Sequence, residues 1–333
     1  MTFQISLSLP TKKEIRKEYD LVIVGAGPAG CSAALYARRY TLSTLIIAKK
    51  FGGLIADAEI VDNYPGLPEI SGSDLANKFL EHAKKYGAET YMQEVLEIQK
   101  QDNIFVIKLA DGKEVRAKSI ILALGEKHRK LNVPGEKEFE GRGVSYCAVC
   151  DAPLFKNEVV AIVGGGNVAF SDVQVLAKHA KKVYLIHRRN WFRADPIEIE
   201  KVKKTPNIEF KTPYIIKEIR GKEKVESLLL QKVKEENGKI VELNEFEELK
   251  VSGLFVAIGL IPNTELAEKL GIELDQKGYI VVDDCMKTNI EGVFAAGDCT
   301  NKGAKFRQVV LAAAQGAIAA TSAFKYLKEK FSI

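Results

Sequence analysis

Cys147 and Cys150 stand in the run Tyr146-Cys147-Ala148-Val149-Cys150-Asp151, with two residues between them. That spacing lets both sulfurs meet in a disulfide, and a helix-like turn beside the first cysteine lowers its thiol pKa. The chemistry this permits is thiol–disulfide exchange, in which a thiolate attacks a second disulfide and its neighbour resolves the mixed intermediate. Asp151 follows directly, an acid placed to give and take the proton that the exchange moves. The alternative use of such a pair is half a zinc site. Cys285 and Cys299 would have to complete it, and their spacing to each other is wrong for a zinc knuckle, so no metal is expected. An odd count of five cysteines is unlike a secreted disulfide framework, and Cys31, Cys285 and Cys299 read as inert thiols. His82, His128 and His179 lack a carboxylate or serine partner in the sequence and read as surface or packing residues.

A dithiol needs an electron source, and two glycine-rich signatures flank the pair. The first is GAGPAG, Gly25-Ala26-Gly27-Pro28-Ala29-Gly30, between an apolar strand over Tyr19 to Val24 and a helix over Cys31 to Tyr40, with a second strand over Leu42 to Ala48. In this βαβ setting Gly25 permits the turn, Gly27 lets a phosphate approach the backbone, and Gly30 lets helix pack on strand; the helix N-terminus then meets a pyrophosphate. The acidic residue that usually follows about 20 residues on, to bond the ribose, is replaced by Ile47-Ala48-Lys49-Lys50. The second signature, GGGNVA, contains Gly164, Gly166, Asn167 and Ala169, between a strand over Val159 to Val163 and a strand over Val183 to His187. At its ribose position stand His187-Arg188-Arg189, with Arg193 shortly after. Guanidinium forks match a 2′-phosphate in bidentate fashion, so this half is expected to prefer NADPH to NADH.

The elements around these signatures repeat. Gly72 to Tyr86 has helical spacing, with Leu75, Phe79 and Ala83 on one face. Tyr91 to Leu109, the Asp111-Gly112 turn and Glu114 to Arg116 read as a hairpin, and Ser119 to Gly125 as a buried strand. Residues 208 to 250, with Asn237-Gly238 as a turn, read as an antiparallel layer. Val256-Ala257-Ile258-Gly259 answers Leu122-Ala123-Leu124-Gly125, as if matching strands carried the chain out to a second domain and back. The expected fold is α/β: two Rossmann-like nucleotide-binding domains, the second inserted in the first, with antiparallel β layers. The expected boundaries are 1–124 and 254–333 for the discontinuous domain and 125–253 for the insert that carries CxxC. Gly297-Asp298 ends a buried strand, where open α/β sheets hold ligands, and Val309 to Leu327 is a small-residue helix. Residues 1–18 form an arm without an assigned role.

Composition agrees. A chain of 333 residues, 46% hydrophobic, supports a large core and about two domains. The net charge of +5 is spread as mixed signs, so no nucleic-acid partner is expected. No apolar run reaches the roughly 18 residues of a membrane span and no secretory leader is evident, which gives the expectation of a cytoplasmic protein.

From residue 19 onward the chain resembles the low-molecular-weight thioredoxin reductases. GAGPAG, Gly52-Gly53, DNYPG, CxxCD, GGGxxA, HRRxxFRA, GxIPNT from Gly259 to Thr264, AAGD and Arg307-Gln308 occur in that family's order. The resemblance implies FAD in the discontinuous domain, NADPH in the insert, a homodimer, and electron flow from NADPH through flavin to the disulfide. The final acceptor it implies is a thioredoxin- or glutaredoxin-like protein. By position, Cys150 resembles the cysteine that meets the flavin, Cys147 the one that attacks the partner's disulfide, and Asp151 the acid beside them. Asp298 and Gln308 resemble flavin contacts, Asn63 falls in the corresponding FAD loop, and Arg188, Arg189 and Arg193 match the 2′-phosphate clamp. Departures stand at Leu54, where the family usually has Gln, at Asn167-Val168 for Asp-Ser, and at Leu260 for His. On these departures two alternatives stay open: a different donor, NADH or ferredoxin, and a non-catalytic redox-sensing flavoprotein scaffold.

Overall fold

The computed structural model describes residues 15–58, 61–303 and 306–333. Most of the N-terminal arm, residues 1–14, lies outside the described residues. The chain forms two compact units, residues 1–126 with 262–333, and residues 127–261.

The first unit opens with β1 (Glu18–Ala26), α1 (Pro28–Arg39), β2 (Thr44–Phe51), α2 (Gly72–Lys85) and β3 (Glu89–Met92). β4 (Val95–Gln101), β5 (Ile104–Leu109) and β6 (Glu114–Leu122) follow. Its sheet runs in the order β3-β2-β1-β6-β5-β4. The stretch from β3 to β6 is parallel, whereas β6, β5 and β4 are antiparallel neighbours. Leu21 to Ile23 of β1 and Leu45 to Ile47 of β2 are wholly buried, the continuous apolar pattern of strands covered on both faces. The expected hairpin is therefore only its second half. Residues from Tyr91 divide between β3 and β4, a further turn at Asp102 (φ 55°) separates β4 from β5, and Glu114 to Arg116 begins the same strand that Ser119 continues.

The chain leaves through β7 (Glu126–His128). The second unit contains β8 (Val144–Ser145), α3 (Ala148–Asp151), β9 (Val159–Gly164), α4 (Asn167–Ala177), β10 (Lys182–Ile186), α5 (Pro196–Lys203) and β11 (Ile208–Lys211). β12 (Tyr214–Gly221), β13 (Val225–Glu236), β14 (Lys239–Lys250) and β15 (Gly253–Ala257) complete it, and β16 (Leu260–Pro262) leads out. β11-β10-β9-β15-β8 is a parallel five-stranded sheet, and β12-β13-β14 is a separate antiparallel layer. Asn237 (φ 52°) and Gly238 (φ 74°) join β13 to β14, the two left-handed residues that a tight hairpin turn requires. One expectation is corrected. Leu254 to Ala257 does not rejoin the first unit; β15 pairs with β9 in register Leu254 to Ala161, so the return crossing falls after Ile261.

Back in the first unit, α6 (Glu265–Lys269) is followed by β17 (Val293–Ala295), which extends the large sheet in parallel beside β6, and by α7 (Val309–Phe331). α7 lies on α1 through small residues: a Cβ at Gly316 would overlap the Ala29 carbonyl oxygen, and Ser32 Oγ donates to Ala313 O at 2.7 Å. Gly316→Val is therefore expected to destabilise the first unit by about 1–3 kcal/mol through overpacking. A lower thermal unfolding midpoint would register it; an unchanged midpoint would mean the helices separate freely.

Candidate active site

β8 ends at Ser145, and the chain turns at Cys147 into the four-residue α3. Cys147 N–H donates to Ser145 Oγ at 3.1 Å. Upstream, Tyr146 OH donates to Glu136 Oε1 at 2.7 Å, and the buried Glu136 also accepts from the Leu131 and Asn132 amides at 2.8 and 2.6 Å. Burial, and then Glu136, push the Tyr146 phenol well above its ordinary range. The segment entering the cysteine pair is thus tied from both sides. Cys147 and Cys150 are bonded in a disulfide with Cα atoms 5.3 Å apart. Cys147 is half-buried and Cys150 exposed. Cys150 N–H donates to Cys147 Sγ at 3.2 Å, a bond that strengthens when that sulfur carries charge and so favours a thiolate there. Asp151, half-buried, closes α3, its N–H donating to Cys147 O at 3.2 Å. The other cysteines suit no exchange role. Burial pushes the Cys31 thiol up to about 12 and that of Cys299 up to about 11, and Cys285 is exposed and unbridged.

At the first fingerprint the glycines fall into two kinds. A Cβ on Gly25 (φ +113°) would overlap the Ala123 carbonyl, and one on Gly30 would overlap the carbonyl of Gly25, so both are demanded by the protein's own backbone. Gly27, at the N-cap of α1, is different: a Cβ there would meet nothing closer than Gly53 Cα at 3.8 Å. Protein packing does not require glycine at that point, whereas a phosphate lying against the helix amides would. Pro28 occupies the first helical turn, where its missing N–H forgoes no bond. Gly52 (φ +95°) and Gly53 (φ +63°) turn against Gly27, and Gly297 (φ +84°) packs on Ala29. Asn63 Nδ2 donates to Gln308 Oε1 at 2.9 Å across 245 positions of sequence, and Gln308 is the N-cap of α7. Arg307 pairs with the buried Glu126 at 3.0 Å and lies 4.3 Å over the Tyr279 ring; Tyr279 OH donates to Glu126 at 2.9 Å. Burial raises the Asp298 carboxyl and Arg307 opposes the rise. The first-unit candidates therefore gather where β1, β2 and β17 end and where α1 and α7 begin. The residues fit a flavin dinucleotide: an open, side-chain-free helix N-terminus with polar groups beside it. Lys49 and Lys50, at the missing ribose acid, are paired with Glu94 at 3.1 Å and Asp57 at 2.6 Å.

The second fingerprint repeats that division. A Cβ on Gly164 would crowd Ala257 and Ala169, and one on Gly165 would enter the His187 ring, but Gly166, the N-cap of α4, faces open space. Asn167 ties this turn to the arginine loop: its Nδ2 donates to Asp195 Oδ2 at 3.1 Å and its Oδ1 accepts from Asp195 N at 2.8 Å. Arg193 N–H donates to Gly165 O at 2.7 Å. His187 packs its ring 5.3 Å from that of Phe192, and burial, followed by Arg188, Arg189 and Arg193, lowers its pKa to about 4, leaving it neutral. Burial first, then Arg189, Arg193 and Arg129, lower the Arg188 pKa. Arg188 and Arg193 are exposed. Such crowding of guanidinium groups is unfavourable without an anion and fits a phosphate. Sequence reading passed over Arg129, Glu235 and Glu126, because each reaches its cluster from a distant element.

The pyridine nucleotide-disulphide oxidoreductase family model matches residues 19–319, and the chain belongs to that class. The thioredoxin reductase of Peptoclostridium litorale is 43% identical over 94% of this chain and 98% of its own. That of Bacillus subtilis is 41% identical over 94% and 96%. The crystal structure of Lactococcus lactis thioredoxin reductase superposes with a TM-score of 0.84 at 38% identity, covering 93% of this chain and 99% of that one. Within the class, the chain belongs to the thioredoxin reductase family. It is an oxidoreductase that works with FAD and a pyridine nucleotide, and Cys147–Cys150 is its redox-active disulfide. No helix among the described residues is long and apolar enough to cross a membrane.

A half-buried acid on α4 gives this region a pH signature. Burial raises Asp172 from 3.8 to about 7. The folded state holds that proton more tightly than the unfolded chain, so stability is full below about pH 4 and falls as pH rises through about 7. Asp172→Asn should therefore unfold at higher denaturant than the parent at pH 8 and at nearly the same denaturant at pH 4. An equal gap at both pH values would remove titration of Asp172 as the cause.

Proposed function

We propose that the enzyme is an NADPH-dependent thioredoxin-disulfide reductase, passing two electrons from NADPH by way of FAD to the Cys147–Cys150 disulfide and on to a thioredoxin- or glutaredoxin-like protein. Over one turnover NADPH and a proton yield NADP⁺, and one partner disulfide becomes two thiols. The observation that carries the reading is the disulfide of α3 on the same unit as a nucleotide turn and an arginine cluster, in a chain of this family. In the proposal, the first unit is the FAD-binding domain and the second is the NADPH-binding domain. Gly25, Gly27, Pro28, Ala29 and Gly30 present the α1 amides to the FAD pyrophosphate. Gly52, Gly53, Asn63, Gly297, Asp298, Arg307 and Gln308 surround the rest of that cofactor. FAD supplies a two-electron relay between a hydride donor and a disulfide. Gly164, Gly166, Asn167 and Ala169 shape the NADPH turn beside His187, and Arg188, Arg189 and Arg193 hold the 2′-phosphate. After reduction, Cys147 attacks the partner, its thiolate favoured by the Cys150 N–H at 3.2 Å, Cys150 resolves the mixed disulfide, and Asp151 relays the proton. A homodimer is proposed through the first unit, where Val310, Ala314 and Ile318 form an exposed apolar stripe at i, i+4 spacing on α7.

Two measurements test this. Cys147→Ser and Cys150→Ser should each lower reduction of a thioredoxin disulfide by roughly a thousandfold or more while NADPH still bleaches the flavin anaerobically. Full turnover by the double variant would refute the dithiol assignment. Arg188→Ala with Arg193→Ala should raise KM for NADPH by about tenfold or more with little change in KM for NADH. Equal effects on both nucleotides would count against a 2′-phosphate clamp.

A further inference from the structure

Glu235 lies near the end of β13, 46 positions from Arg189, yet both of its carboxylate oxygens engage the arginine loop. Oε1 accepts from Arg189 Nε at 3.2 Å, and Oε2 accepts from Trp191 Nε1 at 3.1 Å. Trp191, half exposed to solvent at 50%, places its ring 5.0 Å from the Arg189 guanidinium carbon. An acid on one edge and an indole against one face together fix the plane of that guanidinium. The ion pair is made through Nε, and the bond to Glu235 uses neither terminal nitrogen of the fork.

We infer that Glu235 and Trp191 are positioning residues for nucleotide choice: they hold Arg189 in the orientation in which its terminal nitrogens receive the 2′-phosphate of NADPH. This rests on the NADPH reading above. Arginine carries considerable rotamer freedom, and a fork already locked in place loses less of it on binding. Electrostatics point the same way. Arg188, Arg193 and Arg129 form a like-charged group around the site, and repulsion would drive an untethered Arg189 outward. Glu235 offsets that repulsion through its ion pair with Arg189. Its own carboxyl is held below the usual range, first by the Trp191 bond and then by Arg189, so it stays charged across the working pH. The contrary reading makes Glu235 a competitor that occupies Arg189 and favours the ribose hydroxyl of NADH; it predicts the opposite sign on removal.

The experiment compares KM and kcat for NADPH and NADH in the flavin-loaded enzyme, with flavin content and thermal unfolding as fold checks. Glu235→Ala should raise KM for NADPH by about five- to tenfold, with kcat and KM for NADH within about twofold. Glu235→Gln, whose amide oxygen still accepts from Arg189, should recover part of the loss, and Trp191→Ala should reproduce it. If the parent prefers NADPH but Glu235→Ala leaves KM unchanged or lowers it, the positioning role is overturned and the NADPH reading stands. Equal rises for NADPH and NADH also overturn it, as a structural effect. A parent enzyme with no preference for NADPH overturns both.

Discussion

Backbone amides can hold a phosphate only where no side chain intervenes between it and a helix N-terminus, and both units are built around that restriction. Gly27 and Gly166 each cap a helix with room where a Cβ would stand, and their neighbours supply the support. Gly25 and Gly30 let strand, turn and α1 touch backbone to backbone; Gly164 does the same against the Ala257 carbonyl, and Gly165 makes room for the His187 ring. The flanking glycines are explained by protein contacts and the capping glycines are not. That difference separates the glycines that the fold's own contacts require from the two that they do not.

Charge is arranged differently in the two halves. In the first unit the basic pair at the ribose position is neutralised by Glu94 and Asp57, and Arg307 is neutralised by the buried Glu126. In the second unit the guanidinium groups of Arg188, Arg189 and Arg193 converge with Glu235 as the acid bonded to Arg189. A balanced cluster holds structure; an unbalanced one calls for an anion. The redox helix uses neither device. It relies on a two-residue spacing and one N–H aimed at sulfur, which needs only local backbone geometry and therefore fits on a helix of four residues.

That locality explains how much was legible in the sequence. The βαβ signatures, the Asn237-Gly238 turn and the CxxC helix depend on residues close in the chain, and each stands where its local chemistry places it. Leu254 to Ala257 did not follow: a short, wholly apolar strand carries no mark of which sheet it will join, and its resemblance to Leu122 to Gly125 pointed to the wrong one. The split of the expected hairpin at Asp102 has a similar origin, because a polar residue with φ 55° inside a β-rich run gives a weak turn signal beside Asp111-Gly112. Glu126 and Glu235 escaped notice because an isolated glutamate is ordinary surface until a distant arginine is brought to it.

The substitution at Asn167-Val168 shows why such positions are better weighed in three dimensions. Read along the chain, the pair removes a carboxylate and a hydroxyl from the start of α4 and weakens the case for a pyridine nucleotide there. In the folded unit Asn167 both donates to and accepts from Asp195, a two-way bond that an aspartate, with acceptors only, could not make with that residue. An aspartate there would also face Asp195 with like charge. The asparagine is thus matched to the acid that follows the arginine loop, and together with the bond from Arg193 N–H to Gly165 O it fastens the loop to the glycine turn. Val168, 56% exposed, leaves the open side of the turn apolar without filling it. What looked like loss of a nucleotide contact is a strut that keeps the arginine cluster and the helix N-terminus in one frame.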